Sequence, residues 1–464
     1  MYHNKQSLEE VQEVLENKLL FRLNEEDKVA KIIGNYSTQS DVFIPRSIIH
    51  KGCEYIVTCI AEDSFKNSNN FSVQFAPDSE LRTIEKNAFT NSTIERISLP
   101  SSVSELKDGW CAGALNLTKV SIMPNNQHYT NFDDKFIVEK NDKNDALIFA
   151  RRDIKEPTIP PNISSIGSWA FAYSSVSCIV IPSNITQICD NAFAFCKNLR
   201  KIEIPRDSQL TIIGKYAFQY SKIESIFIPL RITKFCEGVF YHCNQLNHVD
   251  FPTDSELQII EKDAFNQSSI ENITIPSKVS ELKDGWCKGA DYLKKVTVSS
   301  DNEYFNNFDE KIIVGKSDIN NDKFDGIVFA NRNIQTVSIP PYIKKIHSYA
   351  FAYSSIETIS IPSQVTHIGE GAFDWCYNLQ RIAIPPESEL KVIESKAFHY
   401  SLIESFYIPS HVTQISEDAF LSCNNLLIVE IDEFIEIGKI NKNIFTFCIN
   451  AIIMVPFRLK NDLF

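Results

Sequence analysis

An internal repeat constrains this chain more than any other feature. An aromatic mark, usually Phe preceded by Ala, returns at Phe65, Phe89, Phe171, Phe193, Phe218, Phe240, Phe265, Phe351, Phe373, Phe398, Phe420 and Phe445. Cys111 and Cys287 hold the same phase. From Phe171 to Cys287 the step alternates between 22 and 25 residues. A period of that size marks stacked supersecondary units, none of which buries its apolar side alone. Upstream of each mark comes an Ile-x-x-Ile/Leu pair, as at Ile185 and Ile188. Downstream comes Ile-x-Ile-Pro, as in Lys201–Pro205, Ser225–Pro229, Asn272–Pro276 and Arg381–Pro385. Apolar and polar residues alternating up to a Pro read as a short strand with one buried face.

Three positions after each mark every residue is small: Ser68, Ser92, Ala114, Ser174, Cys196, Ser221, Cys243, Ser268, Ala290, Ser354, Cys376, Ser401, Cys423 and Cys448. This is where the chain turns inside a coil and neighbouring coils approach closely. Five of the twelve Cys fall in this column and two more at the mark, so they read as small buried hydrophobes. No CxxC cluster or other zinc-ligand spacing occurs.

The pattern I-x-x-I-x-x-x-A-F-x-x-C/S-x-x-L-x-x-I-x-I-P resembles the BspA-like leucine-rich repeats of microbial surface antigens. Clean copies run over Ile185–Pro205 and Val365–Pro385, and the likeness covers roughly residues 40–456. It implies an α/β-type leucine-rich-repeat solenoid, a right-handed superhelix with one short parallel strand per 22–25-residue turn. Residues of about 125–153 and 301–333 look like the family's extra β-hairpin, inserted twice. The likeness also implies adhesion to cells, matrix proteins or other microbes.

The chain is doubled on a larger scale. Val103–Cys111 recurs letter for letter at Val279–Cys287, and residues from about 77 to 251 correspond to those from about 252 to 431. The expected organisation is a cap over 1–40, a first repeat block over 41–251 and a second over 252–464. Trp110 and Trp286 stand in the Ala column and are expected in the core. For the cap, residues 7–20 read as a helix. Ser7 and Glu10 form a capping box, and Leu8, Val11, Leu15 and Leu19 share one face. Leu20–Leu23 and Val29–Ile33 read as a hairpin. After MVPF the chain reaches Phe464 without a recognisable cap, so the last coil is expected either to self-associate or to lie under the short tail.

A net charge of −13 without a Lys/Arg block argues against nucleic acid as a partner. The N-terminus is charged throughout, and no window reaches the roughly 18 apolar residues of a membrane helix. The sequence alone therefore predicts a soluble protein made without classical export, which favours a cytoplasmic home, whereas the family likeness implies the cell surface or secretion. No nucleotide-binding glycine motif, catalytic triad spacing or cofactor signature occurs, so no enzyme is expected. Asp318–Gly326 only superficially resembles a calcium loop, with Lys323 at the position that needs Gly. Asn141–Asp145 reads as a turn, and His347 and His367 stand one unit apart without a catalytic partner. Eight N-x-S/T sequons are present, at Asn35, Asn70, Asn91, Asn116, Asn162, Asn184, Asn266 and Asn272.

The outward strand positions are the expected binding face. Phe227 and Tyr407, as exposed aromatics, lead the set. Lys201, Glu203, His248, Asp250 and Arg381 complete it. The expected function is a non-enzymatic protein-binding or adhesion module with a protein or cell-surface ligand; the alternative is an intracellular scaffold.

Overall fold

A computed structural model describes residues 12–141, 145–317, 323–435, 442–445, 448 and 450–454. The chain divides into two units, Met1–Lys222 and Ile223–Phe464. Each folds as a β-solenoid.

In the first unit, one wall stacks Asp41–Ile44, Ser72–Phe75, Arg96–Leu99 and Lys119–Ile122 in parallel, with Val42 opposite Val73, Val73 opposite Ile97, and Ile97 opposite Val120. Further along, Cys178–Val180 pairs with Lys201–Glu203. A second wall consists of two-residue parallel strands such as Thr83–Ile84 and Glu105–Leu106. The inward residues Ile44, Ile84, Ile97 and Leu99 are buried, and Lys119 and Arg96 face solvent. Tyr129–Phe132, Phe136–Glu139 and Asp145–Ala150 form an antiparallel ribbon whose last strand runs parallel to Ile163–Ile166.

The second unit repeats the scheme. Its outer wall contains Ser225–Phe227 with His248–Asp250, Asn272–Ile275 with Lys295–Val298, Thr358–Ser360 with Arg381–Ala383, and Ser405–Ile408 with Ile428–Ile431 and Ile452–Met454. Its antiparallel ribbon is Phe305–Phe308, Ile312–Gly315 and Gly326–Ala330.

The marks form the spine of each core. Phe171 stacks on Phe193 at 5.0 Å between ring centroids, and Phe193 on Phe218 at 5.5 Å. Phe351, Phe373, Phe398 and Phe420 continue the same way in the second unit, 5.1–5.3 Å apart. These spacings match the separation of hydrogen-bonded strands. Trp110 and Trp286 are buried and meet Phe89 and Phe265 edge-on at 6.0 Å.

Two expectations are corrected. Among the described residues the only helical element is the single 3-10 turn Lys442–Phe445, so the architecture is β rather than α/β. Each coil spends its residues on two short strands and a pair of tight turns instead. The N-terminal helix is also absent over its described part. Gln12–Glu16 and Leu19–Asn24 are antiparallel strands joined by Asn17 and Lys18, both with positive φ. Positive φ at both central residues is the two-residue hairpin turn that fits strand twist. Leu19, Phe21 and Leu23 are buried with period two, while Leu15, on the supposed helical stripe, is 62% exposed. Residues 7–11 lie outside the described set. Leu19–Asn24 and Val29–Asn35 do form a hairpin. Residues 455–464 and most of the calcium-like stretch, 318–322, also lie outside the described residues, as do 142–144.

Candidate binding surface

The strand wall positions side chains by simple alternation: inward Ile and Val are buried, and their neighbours on either side point to solvent. In the second unit this places His248 and Asp250 on one strand, with the His248 Nε2 2.8 Å from Asp250 Oδ1. Asn272 and Thr274 follow, then Lys295 and Thr297, and the hydroxyls of Thr274 and Thr297 lie 2.9 Å apart. Together with Ser277, Ser299 and Asp301 these residues line a groove of about 680 Å³. Beyond Lys295 a second recess of about 650 Å³ is bordered by Lys294, Asp309, Lys311 and Gln335. Lys294 is held by Glu271 at 3.1 Å. The groove is shallow, short in side chain and mixed in charge, so it offers contact area and hydrogen bonds rather than a converging reactive set.

His248 and Asp250 thus lie together in the groove. Lys201 and Glu203 pair with each other on an exposed strand of the first unit. The Glu203 carboxylate raises the Lys201 pKa. Arg381 is exposed on its strand, apart from the groove. Phe227 and Tyr407 depart from expectation, since both are half-buried rather than exposed. Phe227 lies opposite Asp250 in register. The Tyr407 hydroxyl donates to Asp432 Oδ2, and burial together with that carboxylate pushes its pKa up to about 12. Ring area at a strand position is covered by the neighbouring strand, which alternation alone does not show.

A second surface went unread in the sequence. Two residues before and two after each mark from Phe65 to Phe420 the backbone has positive φ, as at Asn87 and Asn91 (61° and 53°). Hydrogen bonds Ala88 N–H to Glu85 and Ser92 N–H to Phe89 close the two tight turns that need this conformation. Asn, Asp and Gly suit such positions. Yet Trp169, Tyr173, Phe195, Tyr220, Tyr349, Tyr353, Trp375 and Tyr400 occupy them, each with φ of 53–62°. In the first unit Tyr173, Phe195 and Tyr220 stack face to face at 4.7 and 4.9 Å. The visible signal was an aromatic residue where Asn67, Asn91 and Gly113 stand in other coils.

Of the sequons, Asn70 is fully buried, donating to the carbonyls of Ser37 and Gln39, whereas Asn91, Asn116, Asn162 and Asn272 are exposed. The cysteines are all free thiols.

A family model for the BspA type leucine rich repeat region matches residues 36–137, 145–233, 211–309 and 322–452. A leucine rich cell surface protein from Faecalibacterium prausnitzii is similar in fold, with a TM-score of 0.52 and 21% identity over 97% of each chain. The pneumococcal vaccine antigen PcpA is similar with a TM-score of 0.54 and 17% identity, over 97% of this chain and 95% of that one. No curated protein matches. With coils of this sequence pattern and geometry matched along most of its length, the chain belongs to the BspA-type leucine-rich repeat family.

Proposed function

We propose that the chain is a non-enzymatic binding module for protein or cell-surface ligands, using the outward strand face. The observation that carries this reading is the preformed groove over His248, Asp250, Thr274, Lys295 and Thr297, whose side chains are polar and set by strand register. A run of strands on one wall supplies the roughly 800 Å² per partner of an ordinary protein interface without a deep pocket. The likeness to a bacterial cell surface protein and a vaccine antigen supports adhesion as the setting. Right-handed coiling and the two ribbons as inserted hairpins, which project between coils, belong to the same reading.

The test is binding of the purified chain to immobilised matrix proteins and cultured cells. The doubly altered groove, Asp250→Lys with Thr297→Lys, is expected to lose binding with its melting curve unchanged. Unaltered binding would remove the groove from the reading. A second setting, an intracellular scaffold, is favoured by twelve thiols that all remain free. Surface proteolysis of intact cells separates the two: complete protection of the chain favours the scaffold.

A further inference from the structure

The two sequence blocks share a scaffold, including the contact of a turn glycine with an aromatic ring, but carry different side chains around it. In the second unit the turn carrying Gly285 and Lys288 meets the ring of Tyr349 directly: a Cβ on Gly285 would lie 3.3 Å from it. The ribbon between them adds strands at this level, and no residue of Gly326–Ala330 has positive φ. The turn stack is therefore interrupted here. Beside it lie Lys288, Asp291, Asp374, Tyr377 and His399, where the first block has Ala112, Leu115, Ala194, Lys197 and Gln219. Five of the differences between the blocks, spread over 112 residues of chain, thus lie near one another, while the marks Cys287, Phe351, Phe373 and Phe398 match Cys111, Phe171, Phe193 and Phe218.

The cluster is built from a buried base. The Asp374 carboxylate is 1% exposed; its Oδ1 accepts from His399 Nδ1 at 2.7 Å, and Lys288 Nζ lies 4.0 Å from its Oδ2. The Lys288 ammonium sits 4.6 Å above the Tyr349 ring. Above this base the hydrogen-bonding groups are unspent. Among the described residues, Lys288 Nζ, the Asp291 carboxylate and the Tyr353 and Tyr377 hydroxyls make no hydrogen bond. Asp291 is near enough that its charge raises the pKa of both tyrosines, with burial the larger cause in each. Tyr377 is 49% exposed and stands edge-on to Trp375, with centroids 5.4 Å apart at 81°, so a ring face stays open.

We propose that this face of the second unit binds a neutral saccharide, with the Tyr377 ring as platform and Lys288, Asp291 and Tyr353 bonding ring hydroxyls. A sugar ring offers an apolar C–H face and a rim of hydroxyls that both donate and accept. The face offers an open aromatic ring beside mixed donors and acceptors. Charge argues against ionic ligands. Arg332 and Asp374 are buried, and at the surface Lys288 stands with Asp291, so either sign of ligand charge meets a like charge. Around Tyr377, the rings of Tyr349, Tyr353, Trp375 and Tyr400 hold positive-φ positions where Gly or Asn would be less strained.

The probe is an array of neutral, sialylated and sulfated oligosaccharides, followed by calorimetric titration of the full chain with the neutral ones. Neutral oligosaccharides are expected to bind, and Tyr377→Ala or Lys288→Ala to weaken them about tenfold or more. Lys197→Ala, at the matching place in the first block, and Asp250→Lys in the strand groove are expected to leave that affinity unchanged. Because Tyr377 is a surface ring, Tyr377→Ala tests the site even if Lys288→Ala lowers the melting temperature. Absence of neutral binding on the array, preference for sialylated or sulfated ligands, or undiminished affinity in Tyr377→Ala would each overturn the proposal.

Discussion

The thiols of the small column have a specific partner. Cys196, Cys376 and Cys423 each donate to the carbonyl of the mark one coil earlier, Phe171, Phe351 and Phe398, at 3.0–3.1 Å. Each also meets the preceding column hydroxyl, as Cys196 meets Ser174 at 3.7 Å. Where the next coil carries Ala114 or Ala290 instead, the buried hydroxyls of Ser92 and Ser268 have no partner among the described residues. Cys196→Ala is therefore expected to cost about 1–3 kcal/mol, because it strands a buried hydroxyl and opens a small void. Cys196→Ser, which keeps a donor, is expected to cost less. Equal losses in chemical denaturation would show that volume alone matters. Burial also pushes the Cys196 thiol up to about 12, so Cys196 supplies no nucleophile at neutral pH. The mark itself sets the larger scale. Phe193→Ala is expected to cost about 3–5 kcal/mol, and Lys201→Ala, a paired surface residue, to stay within about 0.5 kcal/mol. The opposite order in thermal melts would reverse the inward and outward assignment.

At the scale of elements, the second ribbon carries a built-in sensitivity to acid. Gly326, in its last strand, lies under the His347 ring, and a Cβ there would be 2.6 Å from Nε2. That nitrogen is buried without a hydrogen-bond partner among the described residues. Burial first, and the Lys345 charge second, push the His347 pKa down to about 4; Asp284 and Asp325 oppose this. The folded pKa is thus below the ordinary value of 6.5, so between these values the unfolded chain binds more protons. Stability is full above about 6.5 and falls as the pH drops toward 4, by an amount on the order of 3 kcal/mol. His347→Phe is expected to flatten that part of the pH–stability curve, and an unchanged slope would assign it to other groups. Gly326→Ala is expected to destabilise at every pH. The repeat showed the strands and the marks of this element directly, because period two and the 22–25 step come from local chemistry. It did not show the pairing of residues distant in the chain, such as Gly326 with His347 or Lys288 with Asp374. The N-terminal ribbon was misread for a related reason. Leu15 and Leu19 fit a helical stripe, but Asn17 and Lys18 turn the chain between them.

On the scale of the whole molecule, coils speak mainly to their neighbours. The backbone bonds that join turns link adjacent coils, as Phe351 N–H to Ala372 and Phe373 N–H to Ala397, each at 2.7–2.8 Å. The mark rings repeat the arrangement, with Phe373 touching Phe351 and Phe398 at 5.1 and 5.3 Å. The site was less legible than the fold because the strand face needs only register, while the turn face needs knowledge of which coil is interrupted. Stability in such a chain is close to a sum of coil terms and nearest-neighbour terms. Damage should therefore spread by proximity along the stack. Phe373→Ala is expected to raise amide exchange in the coils marked by Phe351, Phe373 and Phe398, as measured by mass spectrometry under native conditions. Lys201–Glu203 in the first unit should keep its protection. A loss spread evenly over both units would mean that the coils unfold as one cooperative body.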